Sequence, residues 1–284
     1  MANSTIGAVA QLCSTTDIDA NLASCERLAA MAADRGSSLL VLPECFAFLG
    51  EREGDKFEVA EHLDGKNPGR ILSTVMKIAT THKTWVVAGG IAELLPGQDA
   101  SSKTAFNSCA VVSPDGQLVS VYRKIHLFDV DIPGGATLKE SEATSAGHDL
   151  SVVDTSIGKV GLSICYDLRF PELYRKLTLD MGAEVLVVPA AFTAHTGAAH
   201  WHTLLRARAI ENQCWVLAAG QSGRHNAKRA SYGHSLIIDP WGQIRDEIAE
   251  GEGIAITAID ADFTQQKRTQ LPCLTHSVLR GESA

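Results

Sequence analysis

Cys165 stands where a strand-like run stops. The stretch Gly161-Leu-Ser-Ile-Cys165-Tyr-Asp-Leu-Arg169-Phe-Pro-Glu-Leu173 belongs to an apolar run, Lys159 to Ile164, that turns polar and turn-prone immediately after the cysteine. Pro171-Glu172 then opens a helix, because the missing proline N–H costs nothing at the first helical position. The pattern puts Cys165 at the carboxyl end of a strand, beside a tight turn and a helix N-terminus. Open α/β sheets gather their chemistry at such ends. Free backbone N–H groups there stabilise a thiolate and later an oxyanion. Taken alone, an unpaired cysteine reads equally well as a small buried hydrophobe.

Two other strand ends carry charge in the same way. Ser38-Leu-Leu-Val-Leu-Pro43-Glu44 is a buried-type strand that stops at proline and then places a carboxylate. Gln117-Leu-Val-Ser-Val-Tyr-Arg-Lys124 alternates, follows the turn Ser113-Pro-Asp-Gly116 and ends on a lysine. Singly, each charge is an ordinary polar cap on a strand. Together with a thiol they suffice for acyl transfer: the carboxylate takes the thiol proton, and the ammonium offsets charge on the carbonyl oxygen.

In these three motifs the chain resembles the nitrilase superfamily. Leu42-Pro-Glu44 matches the family's glutamate motif, Tyr122-Arg-Lys124-Ile-His126-Leu127 its lysine motif, and Cys165-Tyr-Asp-Leu-Arg169-Phe-Pro-Glu172 its cysteine motif. The resemblance runs from the first strand to about Asp260. It implies an α/β fold, a four-layer α-β-β-α sandwich, and a Glu-Lys-Cys hydrolase of non-peptide C–N bonds. It also implies a second glutamate, matched by Glu140 in Lys139-Glu140-Ser141, with Glu142 two positions further on. The Nit branch is the nearest likeness, carried by Thr196-Gly-Ala-Ala-His-Trp201, Leu204-Leu-Arg206-Ala-Arg208-Ala-Ile-Glu211, Gly223-Arg-His225 and Lys228-Arg-Ala-Ser-Tyr232-Gly-His-Ser235. A homodimer packing sandwich against sandwich, or a higher homo-oligomer, is implied as well.

Composition excludes several other classes. A chain of 284 residues, 45% apolar and 20% charged, can bury one large core. We therefore expect a single domain over 1–284, with its core at about 4–262 and a tail at 263–284. A net charge of −8 without a basic run argues against nucleic acid. No apolar run approaches membrane-spanning length, and the start Met-Ala-Asn-Ser-Thr-Ile lacks the marks of a signal peptide. Seven cysteines, an odd number without tight pairing, fit reduced thiols and a cytoplasmic enzyme. Six of them read as packing residues, although Cys45 follows Glu44.

Strands and helices alternate along the chain. Thr5 to Leu12, Trp85 to Ile91, Glu184 to Val188, Cys214 to Ala219 and Ser235 to Ile238 read as strands. Helices are expected from about Asp19 to Asp34, through Ile71, Leu72, Val75, Ile78 and Ala79, and near Gly197 to Asn212. Asp239-Pro-Trp-Gly242 is a hairpin turn. Helical and hairpin connections in one chain predict a pair of mixed sheets. The connection from His126 to Asp149, which includes Ile132-Pro-Gly-Gly135, is long enough to be functional and is expected to form a pocket wall carrying Glu140. Leu94 to Thr104 and the tail after Leu279 read as exposed loop and frayed end.

Histidines 195, 200 and 202 cluster as metal ligands do. On a helix, however, His200 and His202 point about 200° apart, and no carboxylate sits at a zinc-motif spacing. No metal and no cofactor are expected. Arg169, four residues past the nucleophile, suits a substrate carboxylate in bidentate geometry, or else a structural ion pair with an acid such as Glu172. Tyr166, Phe192 and Thr196 are the further expected substrate contacts. The ligand expected is a small amide bearing a carboxylate, such as a 2-oxo-dicarboxylic monoamide. Deaminated glutathione, 2-oxoglutaramate and a carbamoyl compound remain open alternatives, as do a metal-dependent amidohydrolase and an inactive binding or scaffold protein on the same fold. A neighbouring lysine and helix end are expected to help supply thiolate at Cys165.

Overall fold

Two sheets repeat one six-strand pattern, and the first carries a seventh, two-residue strand, Thr144–Ser145, off that path. The computed structural model describes residues 5–99, 101–131 and 137–278. Its first half supplies β1 (Thr5–Gln11), β2 (Leu39–Leu42), β3 (Trp85–Glu93), β4 (Ala105–Val112) and β5 (Leu118–Arg123). The second half supplies β6 (Val152–Thr155), β7 (Gly158–Leu162), β8 (Val185–Ala190), β9 (Trp215–Gly220), β10 (Ser235–Ile238) and β11 (Ile244–Ile248). The last strand, β12 (Gly253–Ile259), returns to pair with β1. The first sheet runs β12-β1-β2-β3-β4-β5 and the second β6-β7-β8-β9-β10-β11. In each, one antiparallel pair is followed by two parallel pairs and then two antiparallel ones.

Alternation in the strands sorts side chains into three apolar layers. Ala8, Ala10, Leu40, Leu42, Val86 and Ala88 pack under helices α1 (Ile18–Asp34) and α2 (Arg70–His82). Their neighbours Val9, Leu39, Val41 and Val87 face Val160, Leu162, Val185, Val187 and Leu217 of the second sheet. Leu186, Val188, Val216 and Ala218 pack under helices α3 (Pro171–Leu179) and α4 (Ala194–Asn212). The result is the four-layer α-β-β-α sandwich. Each buried Leu or Val contributes about 1.5–3 kcal/mol, so the layers fix how the sheets stack and where their strand ends meet. Helix α5 (Ala261–Gln270) closes the outside through Phe263 against Trp215.

Two glycines in β3 permit that meeting. A Cβ on Gly89 would lie 2.2 Å from Pro189 Cβ, so the sheets could not approach as closely there. Gly90 has φ +75°, and a Cβ on it would meet Cys45 N at 2.4 Å and Glu44 Cγ at 2.8 Å. Only glycine both adopts that backbone and leaves room for Glu44.

The expected strands and helices are present with boundaries shifted by a few residues. The hairpin at Asp239–Gly242 joins β10 to β11. The connection from His126 to Asp149 holds more order than its sequence suggested. Asp129–Asp131 pairs with Thr137–Lys139, a single turn follows at Glu140–Glu142, and Thr144–Ser145 lies along β4. Pieces this short carry no hydrophobic periodicity to read. Ile132 to Gly135 and the tail from Leu279 lie outside the described residues.

Candidate active site

The strand ends converge on one cavity of about 550 Å³, lined by Glu44, Lys124, Glu140, Cys165, Tyr166, Arg169 and Phe192 among others. Glu44 follows β2 and Pro43. Lys124 follows β5. Cys165 follows β7 and opens a one-turn helix, Cys165–Arg169, that precedes α3. Pro171 opens α3 as expected, with the one-turn helix lying between it and the end of β7. Cys165 has φ +49°, in the left-handed region that costs a side-chain-bearing residue energy.

Lys124 is buried, with 2% of its side chain exposed. Its Nζ lies 2.8 and 3.1 Å from the two oxygens of Glu140 and 3.2 Å from Glu44 Oε1. Burial alone would lower the lysine pKa, but the two carboxylates reverse that and hold it well above the ordinary value. Glu140 resists burial in the same way: Lys124 and donors from Phe128 N–H (2.7 Å) and Asn107 Nδ2 (3.2 Å) hold it below the usual carboxylate range. Asn107 also donates to Glu44 at 2.9 Å, and Ala191 N–H donates to the other Glu44 oxygen at 2.8 Å. Glu142 is turned outward, its side chain 70% exposed and 3.8 Å from Lys139. Of the two glutamates, Glu140 is the one brought to Lys124.

The thiol behaves differently from expectation. Burial and the adjacent Glu44 push the Cys165 pKa up, and the opposing pull of Lys124 does not overcome them. The shift favours the thiol over the thiolate. Burial is the larger cause, and the negative charge of Glu44 opposes the Lys124 ammonium at the sulfur.

Asp167, which the sequence reading did not single out, ties two of the motifs together. It is fully buried and accepts from Tyr122 Oη at 2.7 Å, Ile164 N–H at 2.9 Å, His126 N–H at 3.1 Å and His126 Nδ1 at 2.7 Å. His126 also stacks on Phe170, with ring centroids 3.7 Å apart. Residues on both sides of Lys124 are thus fastened to the turn that carries Cys165. A carboxylate two residues past the cysteine, in the turn that follows the apolar run, was the visible signal. Nothing local marked Ala191, which acts through its backbone.

Above this floor, Arg169 lies over Phe192 at 5.0 Å and Tyr166 at 5.8 Å. Its Nη1 is 3.3 Å from His200 Nδ1. No carboxylate reaches ion-pair distance of Arg169 among the described residues, so the alternative of a structural pair with Glu172 is not what the geometry shows. Thr196 is not among the residues that line the cavity. Its hydroxyl is 2.7 Å from that of Thr193, the α4 N-cap, and Thr193 lines the cavity in its place. Arg52, Lys228 and Arg229 complete the rim.

A thiol, a base beside it and a buried ammonium in one pocket define an acyl-transfer site, and the chain belongs to the carbon–nitrogen hydrolase family, which it matches over residues 8–269. It is a hydrolase of carbon–nitrogen amide bonds. It is 42% identical over 273 residues to the deaminated glutathione amidase of Dictyostelium discoideum, covering 95% of this chain and 92% of that one. Among solved structures it is similar to the Caenorhabditis elegans NitFhit protein, with TM-score 0.88 and 38% identity over 98% of this chain; it spans 66% of NitFhit. It is also similar to Saccharomyces cerevisiae Nit3, a member of branch 10 of the nitrilase superfamily, with TM-score 0.83 and 32% identity over 99% and 97% of the two chains. No helix among the described residues is long and apolar enough to cross a membrane.

Proposed function

We propose that this chain cleaves the amide of deaminated glutathione, releasing 2-oxoglutarate and cysteinylglycine through a thioester on Cys165. The observation that carries the reading is one cavity holding Cys165, Lys124 and Glu44 together with Arg169, whose guanidinium has no carboxylate partner among the described residues. The relatives named above support the substrate, and a volume of about 550 Å³ accommodates a keto acid joined to a dipeptide.

Arg169 takes the 2-oxo acid carboxylate, with Phe192 and Tyr166 beneath it, and the amide carbonyl lies between Cys165 and Lys124. Because the sulfur starts protonated, Glu44 removes the proton as the sulfur attacks the carbonyl carbon. The Lys124 ammonium and backbone N–H groups of the Cys165–Tyr166 turn hold the oxyanion. Collapse breaks the C–N bond, Glu44 passes its proton to the departing amine, and a thioester remains. Water then loses a proton to Glu44 and attacks; the acid leaves and the thiol regains its proton. Glu140 holds Lys124 and is a positioning residue. Neither metal nor cofactor takes part.

Turnover of deaminated glutathione, 2-oxoglutaramate and a carbamoyl amide tests the assignment. The expected result is the highest kcat/KM on deaminated glutathione; a higher value on either of the others overturns it. The proposal includes a single domain along the whole chain, a homodimer and a cytoplasmic setting. Seven free cysteines are compatible with reducing conditions. A stable monomer by light scattering at micromolar concentration refutes the dimer.

A further inference from the structure

We propose that His202, His234 and Glu247 form a second site, apart from the amidase pocket, that binds a divalent transition-metal ion of the zinc class. The three residues come from different elements: α4, the approach to β10, and β11. His202 Nε2 lies 2.9 Å and His234 Nδ1 2.6 Å from the same oxygen, Glu247 Oε1, and one ligand atom from each residue falls within 4.8 Å of the others. None of the three lines the amidase cavity.

The chemistry of the set selects the ion. Two imidazoles and a carboxylate are a standard three-ligand set for zinc, with the remaining position open to water. Calcium and magnesium prefer all-oxygen shells. Ligands of a tetrahedral ion with bonds of roughly 2.0–2.1 Å stand about 3.3 Å apart, so both imidazole–carboxylate distances have to open by a fraction of an ångström, with the two nitrogens within 4.8 Å of each other. Side-chain exposures of 25–31% leave a face open to solvent.

The donors are also held in place before any ion arrives. His234 has φ +55°, its carbonyl accepts from Trp201 Nε1 at 2.8 Å, and its ring stacks on Tyr232 at 4.3 Å. His202 was dismissed when compared with His200 alone, because its partners lie 32 and 45 residues away. An ion here would clamp α4 to the β10–β11 hairpin. Both adjoin Tyr232, at the end of the Ser222–Arg224 and Ala230–Tyr232 ribbon that borders the pocket.

The test uses chelator-stripped full-length protein carrying Cys165→Ala, so that the active-site thiol takes no metal and the outcome is independent of turnover. It is titrated with ZnCl₂ in a calorimeter and with CoCl₂ while the visible spectrum is recorded. One saturable equivalent, tetrahedral-type Co²⁺ bands and a Zn²⁺-dependent rise in Tm are expected. His234→Asn, chosen because asparagine tolerates the left-handed region, and Glu247→Gln should each weaken Zn²⁺ binding by roughly 100-fold or more, beyond what a lost supporting contact costs. Circular dichroism of the apo variants serves as the folding control, with His202→Gln in reserve should one misfold. Absence of a saturable site at micromolar Zn²⁺ overturns the proposal. Undiminished affinity in the variants also overturns it, by placing the ion on thiols elsewhere.

Discussion

At the floor of the pocket, Lys124 is buried between Glu140 at 2.8 Å and Glu44 at 3.2 Å; at the rim, Lys228 is exposed and Arg229 is half-buried against Glu53. The floor is assembled from strand ends of both sheets, fixed by apolar layers that cannot shift without opening cavities. Its charges are paired, desolvated and mutually dependent. The rim comes from loops and a short ribbon, where water screens each charge. On the proposed mechanism the difference separates two functions: the floor would set what chemistry occurs, and the rim which amide is presented to it. Substitutions in the floor should therefore act on every substrate, and substitutions at the rim only on substrates that carry the matching group.

The largest effect expected is from Cys165→Ala or Cys165→Ser. Both should abolish turnover of every amide while circular dichroism stays native. Cys45 provides the internal control. It also lies after a strand in the same cavity with positive φ, and burial and Glu44 push its thiol up to about 12. Cys45→Ser should retain turnover, and loss of activity there instead would move the nucleophile to the other sheet.

Next comes Glu44→Gln. Turnover should fall by roughly 10²–10⁴, the usual contribution of a positioned general base. Alkylation of Cys165 by iodoacetamide should nevertheless become faster. Glu44 is a principal cause of the raised thiol pKa, and without its charge the Lys124 ammonium acts on the sulfur with less opposition. In the wild type the alkylation rate should keep rising above pH 9, with no plateau near neutrality. A plateau at pH 7 would show a resting thiolate and remove the need for Glu44 as the base.

Lys124→Ala should cost roughly 10²–10³ in rate, the loss typical of one oxyanion donor. It strands Glu44 and Glu140 in a buried site, so about 3–5 kcal/mol of stability should go with it. The pH dependence follows from the shifts. Glu140 is lowered from 4.5, so its stabilisation is complete above that value and is lost as pH falls through the lowered one. Lys124 is raised from 10.5, so its stabilisation is complete below that value and is lost only as pH rises through the raised one. Urea midpoints of the wild type should be flat in between and fall on the acid side. In Glu140→Gln the acid-side fall should be shallower. An unchanged acid limb would mean that Glu140 is not what couples the floor to pH.

The same division explains what the chain could disclose before its structure was known. Strand ends at Glu44, Lys124 and Cys165 were legible because a buried strand writes a continuous apolar run, and the residue ending it stands out. The two mixed sheets followed from hairpin and helical connections read together. Asp167 and Asn107 were not legible, because their partners lie in distant segments: Asp167 meets Tyr122 and His126, and Asn107 meets Glu44 and Glu140. The equivalence of Glu44 and Ala191 was hidden too. Each follows the third strand of its sheet, and the backbone N–H of one holds the side chain of the other. The direction of the thiol shift was not legible either, because sequence shows a lysine near Cys165 but neither the burial of the sulfur nor the carboxylate placed beside it.

Arg169 lies between floor and rim. Arg169→Ala should lower kcat/KM by about 10- to 100-fold on substrates with a 2-oxo acid, as loss of a hydrogen-bonded charged group does, and spare a simple amide lacking it. Arg169→Lys keeps the charge without the planar fork and should recover only part. Equal slowing of both substrate kinds would make Arg169 structural, with stacking on Phe192 and Tyr166 as its role.

The smallest effect belongs to Lys228. It lines the cavity from an exposed position, where the carboxylate of a departing dipeptide would pass. Exposed pairs contribute about 0.2–1 kcal/mol, so Lys228→Ala should raise KM for deaminated glutathione by no more than about fivefold and leave kcat unchanged. 2-Oxoglutaramate, which has no second carboxylate, should be unaffected. The difference should also shrink with added salt, because screening reaches the rim and not the buried ammonium. A change in kcat, or an equal effect on 2-oxoglutaramate, would show that the rim reaches the chemistry and that the two regions are not separate.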